Sequence, residues 1–216
     1  MSIVIKLSGF LFLFIIITNI LSGIFGYKTL GNLNAKTQLQ KVTNSPRNFK
    51  ISVVLILIEH LSIISLAITL FIAFNSYNLI LGFVWCISRI VEALVQIYDK
   101  KNYWGLLNIA KQYSDTPDTE KDGLIDLTNS ILNTKTARFS FAQMLFSVGT
   151  FAYSLLFVIY GVEPILIGWF GIIASILYGL GNGISHIKRN FKILWNVGGL
   201  LILFFELVLG GWLFFF

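Results

Sequence analysis

The sequence predicts an all-α, polytopic membrane protein: a bundle of six transmembrane helices with both termini on the outer face. Three observations carry that expectation. Apolar residues make up 56% of the 216-residue chain and charged residues only 12%, against roughly 25% charged in a soluble domain. Six apolar windows reach the roughly 20 residues needed to cross a ~30 Å hydrocarbon core. Lys and Arg concentrate in alternate connections, as they do on the cytoplasmic side of membrane proteins.

The windows fall at about 5–26, 51–74, 77–98, 139–160, 164–187 and 191–213, and together they form a single helical domain over 1–216. None shows the period-two alternation of a strand. Helices satisfy their backbone groups internally, as hydrocarbon requires. The first window is too long for a signal-peptide core, has no A-x-A-like exit and is followed by basic residues, so it reads as an uncleaved helix. Short connections, FNSYN and GVEP, join the second window to the third and the fourth to the fifth, which makes two antiparallel hairpins. Pro164 suits a first helical turn, where no N–H is needed. The 27–50 connection holds Lys28, Lys36, Lys41, Arg47 and Lys50. The 99–138 loop holds Lys100, Lys101, Lys111, Lys121, Lys135 and Arg138, and the last short connection holds Lys188, Arg189 and Lys192. With six spans these share one face, and the opposite face has only Lys6. The basic face is therefore expected in the cytoplasm, and the richness in Ile, Asn and Lys points to an A·T-rich prokaryotic genome and so to a prokaryotic plasma membrane. The +6 formal charge reports this orientation, and nothing points to nucleic acid. In the 99–138 loop, KKNYWGLLNIAKQY reads either as an amphipathic segment on the membrane surface or as an extension of the third span that frays at Thr116-Pro117. DTPDTEKDG lacks the ligand spacing and closing Glu of a calcium loop.

Charged and polar residues interrupt the apolar windows at related depths. At ~1.5 Å per residue, Arg89, Glu59 and His60 each lie about 12 Å from the cytoplasmic side, with Glu92 one turn nearer to it and Tyr178 about 9 Å away. Asn182 and His186 continue the Tyr178 stripe at i+4 steps, and Gln143 and Asn196 lie just below the charged layer. A charge at the bilayer centre costs at least ~2.5–3.5 kcal/mol. These side chains should therefore face the bundle interior, with Arg89 paired to Glu59, Glu92 or both. The expected ligand-binding set is Glu59, His60, Arg89, Glu92, Tyr178 and Asn182. Glu206 counts out about 22 Å from the cytoplasmic side and reads either as a second, separate polar site or as a protonated carboxyl bonded to a neighbour.

Gly171, Ser175, Gly179 and Gly183 recur every four residues on the fifth window. Such a stripe lets a neighbouring helix approach closely, within the bundle or across a homodimer. The single Cys86 excludes a disulfide framework and reads as a packing residue. His60 and His186 differ in depth by about 12 Å or more, which disfavours bis-histidine haem. Neither a nucleophile elbow nor HExxH is present, so no metal or cofactor is expected and an intramembrane enzyme is the least supported class.

KLSGFLFLFIIITNILSGIFG, EHLSIISLAITLFIAF with ISRIVEALVQIYD, and GVEPILIGWFGIIASILYG together resemble the prokaryotic membrane family catalogued as domain of unknown function 4386. The likeness covers most of the chain, and Arg89, Glu92 and Pro164 are the positions aligned with it. The resemblance implies a multi-helix membrane bundle and supplies no activity. Two functional classes then lead. One is a protein that binds or transports a small polar or ionic ligand in a cytoplasm-facing pocket. The other is an accessory subunit whose buried ion pairs only fix helix packing.

Overall fold

The computed structural model describes residues 3–27, 34–117, 120–187 and 192–215. They form eight α-helices: α1 (Ile3–Ile24), α2 (Ala35–Asn44), α3 (Pro46–Phe74), α4 (Leu79–Trp104), α5 (Leu106–Asp115), α6 (Asp122–Tyr160), α7 (Ile165–Ile187) and α8 (Lys192–Phe215). Six of these elements are long and apolar enough to span a bilayer, starting at Ile3, Pro46, Leu79, Asp122, Ile165 and Ile193. No strand occurs among the described residues.

The helix ends follow local chemistry. Pro46 opens α3 without needing a donor. The Asn78 side chain accepts the Leu81 N–H at 3.0 Å and starts α4. Gly161 ends α6 in the left-handed region at φ +58°, which its missing Cβ permits. The hairpins fold back through Asn75–Asn78 and Gly161–Pro164, so both chain ends lie at one end of the bundle. The opposite end carries the lysines and arginines of the longer connections and is called the basic end below.

Around the bundle α1 packs on α3, α3 on α4, α4 on α6, α6 on α7, α7 on α8, and α8 on α1. The spans thus close into a ring. Outward side chains such as Ile80, Leu166 and Ile193 are about three-quarters exposed, as suits a surface facing lipid tails. Inward residues including Leu66, Leu70, Phe157 and Leu209 form the main core. A second apolar cluster sits at the basic end, where Leu39, Val42, Phe49, Tyr103, Leu106 and Ile109 join α2 and α5 to the roots of α3 and α4.

That second cluster changes the reading of 99–138. Much of the expected loop is helix: α4 runs on to Trp104, α5 follows the break at Gly105, and α6 begins at Asp122. The α5 face of Leu106, Ile109, Ala110 and Tyr113 is buried, so the segment packs on α2 and does not simply fray from α4.

The small-residue stripe is also resolved. A Cβ on Gly171 would collide with Ser154 and Phe205, one on Gly179 would lie 3.0 Å from Ser147, and Ser175 is 1% exposed. The stripe packs inside the chain, chiefly on α6. Of the stripe expected to pack within the bundle or across a homodimer, Gly171 and Ser175 are buried inside the chain, while Gly179 and Gly183 are half-buried.

Candidate functional site

The ring encloses a cavity of about 370 Å³ lined by all six spans. α3 contributes Glu59 and His60, α4 contributes Arg89, Glu92 and Gln96, α6 contributes Gln143 and Phe146, α7 contributes Tyr178, and α8 contributes Glu206. Ile15, Ile16, Ile56, Ile63 and Ile202 fill the apolar part of the wall.

Arg89 is 1% exposed. Its Nη1 donates to Glu92 Oε2 at 2.6 Å, one turn along the same helix. The guanidinium carbon lies 4.4 Å from the Phe146 ring centroid and 5.4 Å from that of Trp85, within cation–π range. Gly149 of α6 lies against this pair of residues: a Cβ there would lie 3.3 Å from Ser88 and 3.5 Å from the Arg89 stem. α6 can therefore press directly on the arginine.

Of the two acids considered for Arg89, only Glu92 is in salt-bridge contact. Glu59 takes a different partner. Asn19 of α1 donates its Nδ2 to both Glu59 oxygens at 3.1 Å. His60 is 6% exposed, and neither ring nitrogen has a hydrogen-bond partner. Tyr178 donates its hydroxyl to Gln143 Oε1 at 2.7 Å. Among the described residues no three His, Cys, Asp or Glu side chains form a metal-ligand group.

Glu206 does not stand apart, because it lines the same cavity. Ser8 meets Thr69 and Asn19 meets Glu59 between α1 and α3, while Gly9 meets Gly210 and Phe214 between α1 and α8. Carried across α1, these registers put Glu206 roughly one turn from Glu59 toward the chain ends. The separate depth arose because each helix was counted from its own end, and those ends do not share a level.

Asn182 belongs elsewhere. Ser140 donates to its Oδ1 at 2.6 Å, and its Nδ2 donates to the Ser140 carbonyl at 2.7 Å. It clamps α6 to α7 and does not line the cavity. Asn196 is exposed, and the side chain of His186 lies outside the described residues.

Sequence reasoning missed Asn19 and a second polar layer behind the cavity. Gln96 and Tyr27 line the cavity on the basic side. Behind them Lys100 lies 3.4 Å from Gln96 Oε1 and 5.3 Å from the Tyr27 ring. Lys135 lies 4.4 Å from the rings of both Tyr27 and Tyr103. Gln38 of α2 donates to the Tyr103 hydroxyl at 3.0 Å, and Arg138 lies 3.3 Å from Asp99. Burial, reinforced by Tyr103 and Asp99, pushes the Tyr27 phenol well above its ordinary value, so it remains a neutral hydroxyl over the lysines. The signal was present in the sequence: Arg89, Glu92, Gln96, Asp99 and Tyr103 recur at i+3 and i+4 and continue one buried face past the apolar window.

With six apolar spans, the GVEP-initiated helix and the Arg89–Glu92 pair in place, the family assignment follows from one match. The family model described as domain of unknown function (DUF4386) covers residues 7–216. The chain belongs to this family. No curated protein and no solved structure matches it. In this DUF4386 member, every helix from α1 to the final span lies at least partly within the matched region.

Proposed function

We propose that the chain is a multi-pass plasma-membrane protein, with its basic end in the cytoplasm, that binds a small polar or ionic ligand in the cavity and carries it across the bilayer. One observation supports this above the others. Ionisable side chains from α3, α4 and α8 reach the same enclosed space, and they exceed what mutual pairing consumes. Arg89 answers Glu92. Glu59 has only an amide, and the His60 ring has no hydrogen-bond partner. Intramembrane ionisable groups are costly and belong by default to substrate or ion pathways.

The Arg89–Glu92 pair taken alone favours a second reading, an accessory subunit. It is closed within one helix turn and wedged against Phe146 and Trp85, which is what a packing device needs. One experiment separates the two. The purified chain and its Glu206→Gln variant are melted in neutral detergent against a panel of inorganic ions, amino acids and small amines. A ligand-dependent rise in Tm that the variant loses supports the pocket. Identical, unresponsive melting of both supports the packing device.

A further inference from the structure

The cavity has an orientation within the ring. Of its twenty lining residues, only Asn19, Ile20 and Leu203 are exposed. Ile20 and Leu203 are 56% and 38% accessible, while Ile15, Ile16 and Ile202 beside them are buried at 7% each. All three exposed residues lie on α1 or α8. The cavity therefore meets the outside along the seam between the first and last spans.

The seam is closed elsewhere. Toward the chain ends α1 and α8 approach so closely that a Cβ on Gly9 would collide with Phe214 N and lie 2.7 Å from the Gly210 carbonyl. A Cβ on Gly210 would lie 2.7 Å from Phe12. About two turns beyond the Phe12–Gly210 contact along each helix, the line passes Asn19, Ile20 and Leu203, which are exposed. These residues lie within apolar spans, so the opening faces hydrocarbon. The basic side of the cavity is backed by Tyr27 and the Lys100 and Lys135 layer.

The charge lining the cavity has a sign. Glu59, Glu92 and Glu206 face one arginine, Arg89, which Glu92 already engages. Among the described residues no cation is in salt-bridge contact with Glu59 or Glu206. Phe146 and Tyr178 add aromatic faces, which attract ammonium groups.

We propose that the occupant is an ammonium-headed amphiphile, an alkylammonium group carried on a hydrocarbon tail, which enters sideways from the bilayer between α1 and α8. This rests on the pocket reading above and names its ligand class. The head lies between Glu59 and Glu206, and Asn19 at the rim yields its hold on Glu59 as the head arrives. At about 370 Å³ the cavity is near the lower end of the ~300–1,000 Å³ range of small-molecule pockets. It takes the head and the first carbons, and the remaining tail leaves past Ile20 and Leu203 into lipid. The head can come from a bilayer aminolipid or from a foreign single-chain ammonium compound, since the chemistry is shared.

The test uses the full chain in maltoside micelles and three probes: decyltrimethylammonium, tetramethylammonium and decanoate. Decyltrimethylammonium is expected to raise Tm and to bind at least tenfold more tightly than the other two. Glu59→Gln and Glu206→Gln should each weaken it at least tenfold, which separates site binding from partition into the micelle. Leu203→Trp, a change at an exposed position, should slow its association. Phosphatidylethanolamine added to the same titration distinguishes the sources. Competition identifies a lipid head and lack of competition a foreign amphiphile, and both sustain the proposal. Equal binding of tetramethylammonium overturns the lateral route and leaves the pocket standing. Preference for decanoate overturns the charge assignment. If none of the three probes shifts Tm while an ion from the earlier panel does, only this inference falls. If nothing in either set does, the pocket falls with it.

Discussion

Arg89 keeps its proton under all ordinary conditions, so its environment must supply the compensation. Glu92 at 2.6 Å does so. Removing one member of a buried pair leaves the other uncompensated, at a cost of about 3–5 kcal/mol, whereas replacing both by apolar residues of similar volume is often neutral. Glu92→Gln should therefore lower Tm by on the order of 10 °C, taking a few degrees per kcal/mol for a chain this size. Arg89→Met combined with Glu92→Leu should recover most of that loss, as a double-mutant cycle of thermal melts will read out. Glu163, in the connection between α6 and α7, gives a pH prediction. Burial raises its carboxyl to about 7, opposed by a hydrogen bond from Trp212. Between its ordinary value and about 7 the folded chain holds a proton that the unfolded chain has released. The stabilisation from Glu163 is thus complete below its unfolded pKa and is lost as pH rises through about 7. Wild-type Tm should fall between pH 5 and pH 8 relative to Glu163→Gln, and parallel profiles would refute this. At this scale the sequence showed Arg89 and Glu92 because charge in an apolar run is conspicuous. It concealed Asn19, because a single amide within an apolar run carries no charge to mark it.

Helices in lipid are held together without a hydrophobic drive between them, so packing distance decides. At the α7–α8 crossing a Cβ on Gly181 would lie 2.6 Å from Trp195 N, and one on Gly198 would lie 2.6 Å from Tyr178 Cα. Both obstacles are backbone atoms and cannot rotate away. Gly181→Ala and Gly198→Ala should each cost about 1–3 kcal/mol through overpacking. Gly211 has nothing within 4 Å of its Cβ position, so Gly211→Ala should gain about 0.5–1 kcal/mol from helix propensity alone. Melting the three variants side by side checks the contrast, and a loss at Gly211 equal to that at Gly181 would sink it. The spans were legible because unbroken apolar length is a strong signal. The α5 stretch already showed helical spacing, but α2 was harder to see, because ten polar-rich residues read as connection. Yet α2 buries Ala35, Gln38, Leu39 and Val42, the i, i+3, i+4, i+7 pattern of an amphipathic helix. The pattern was there, but its burial depends on Tyr103 and Leu106, distant in sequence.

The six-membered ring puts both chain ends together and gathers α2, α5 and most of the described Lys and Arg residues at the other end. Neither packing nor burial says which end meets the cytoplasm, because lipid is symmetric. The distribution of positive charge supports the proposed orientation, since cytoplasmic connections carry the Lys/Arg excess. The experiment uses the single cysteine to advantage. In a Cys86→Ser background, new cysteines at Ser76, between α3 and α4, and at Gln40 and Lys111, on α2 and α5, all sit at exposed positions. A membrane-impermeant maleimide applied to intact cells should label Ser76→Cys and spare Gln40→Cys and Lys111→Cys, which should react only after permeabilisation. The opposite pattern would place the cluster of positive charge outside, against the insertion bias. It would also turn the Glu163–Trp212 end toward the cytoplasm, where the pH is held near the carboxyl's own value of about 7. The lateral seam between α1 and α8 would be unchanged by that reversal. Orientation and ligand class are therefore independent claims, and each stands or falls on its own measurement.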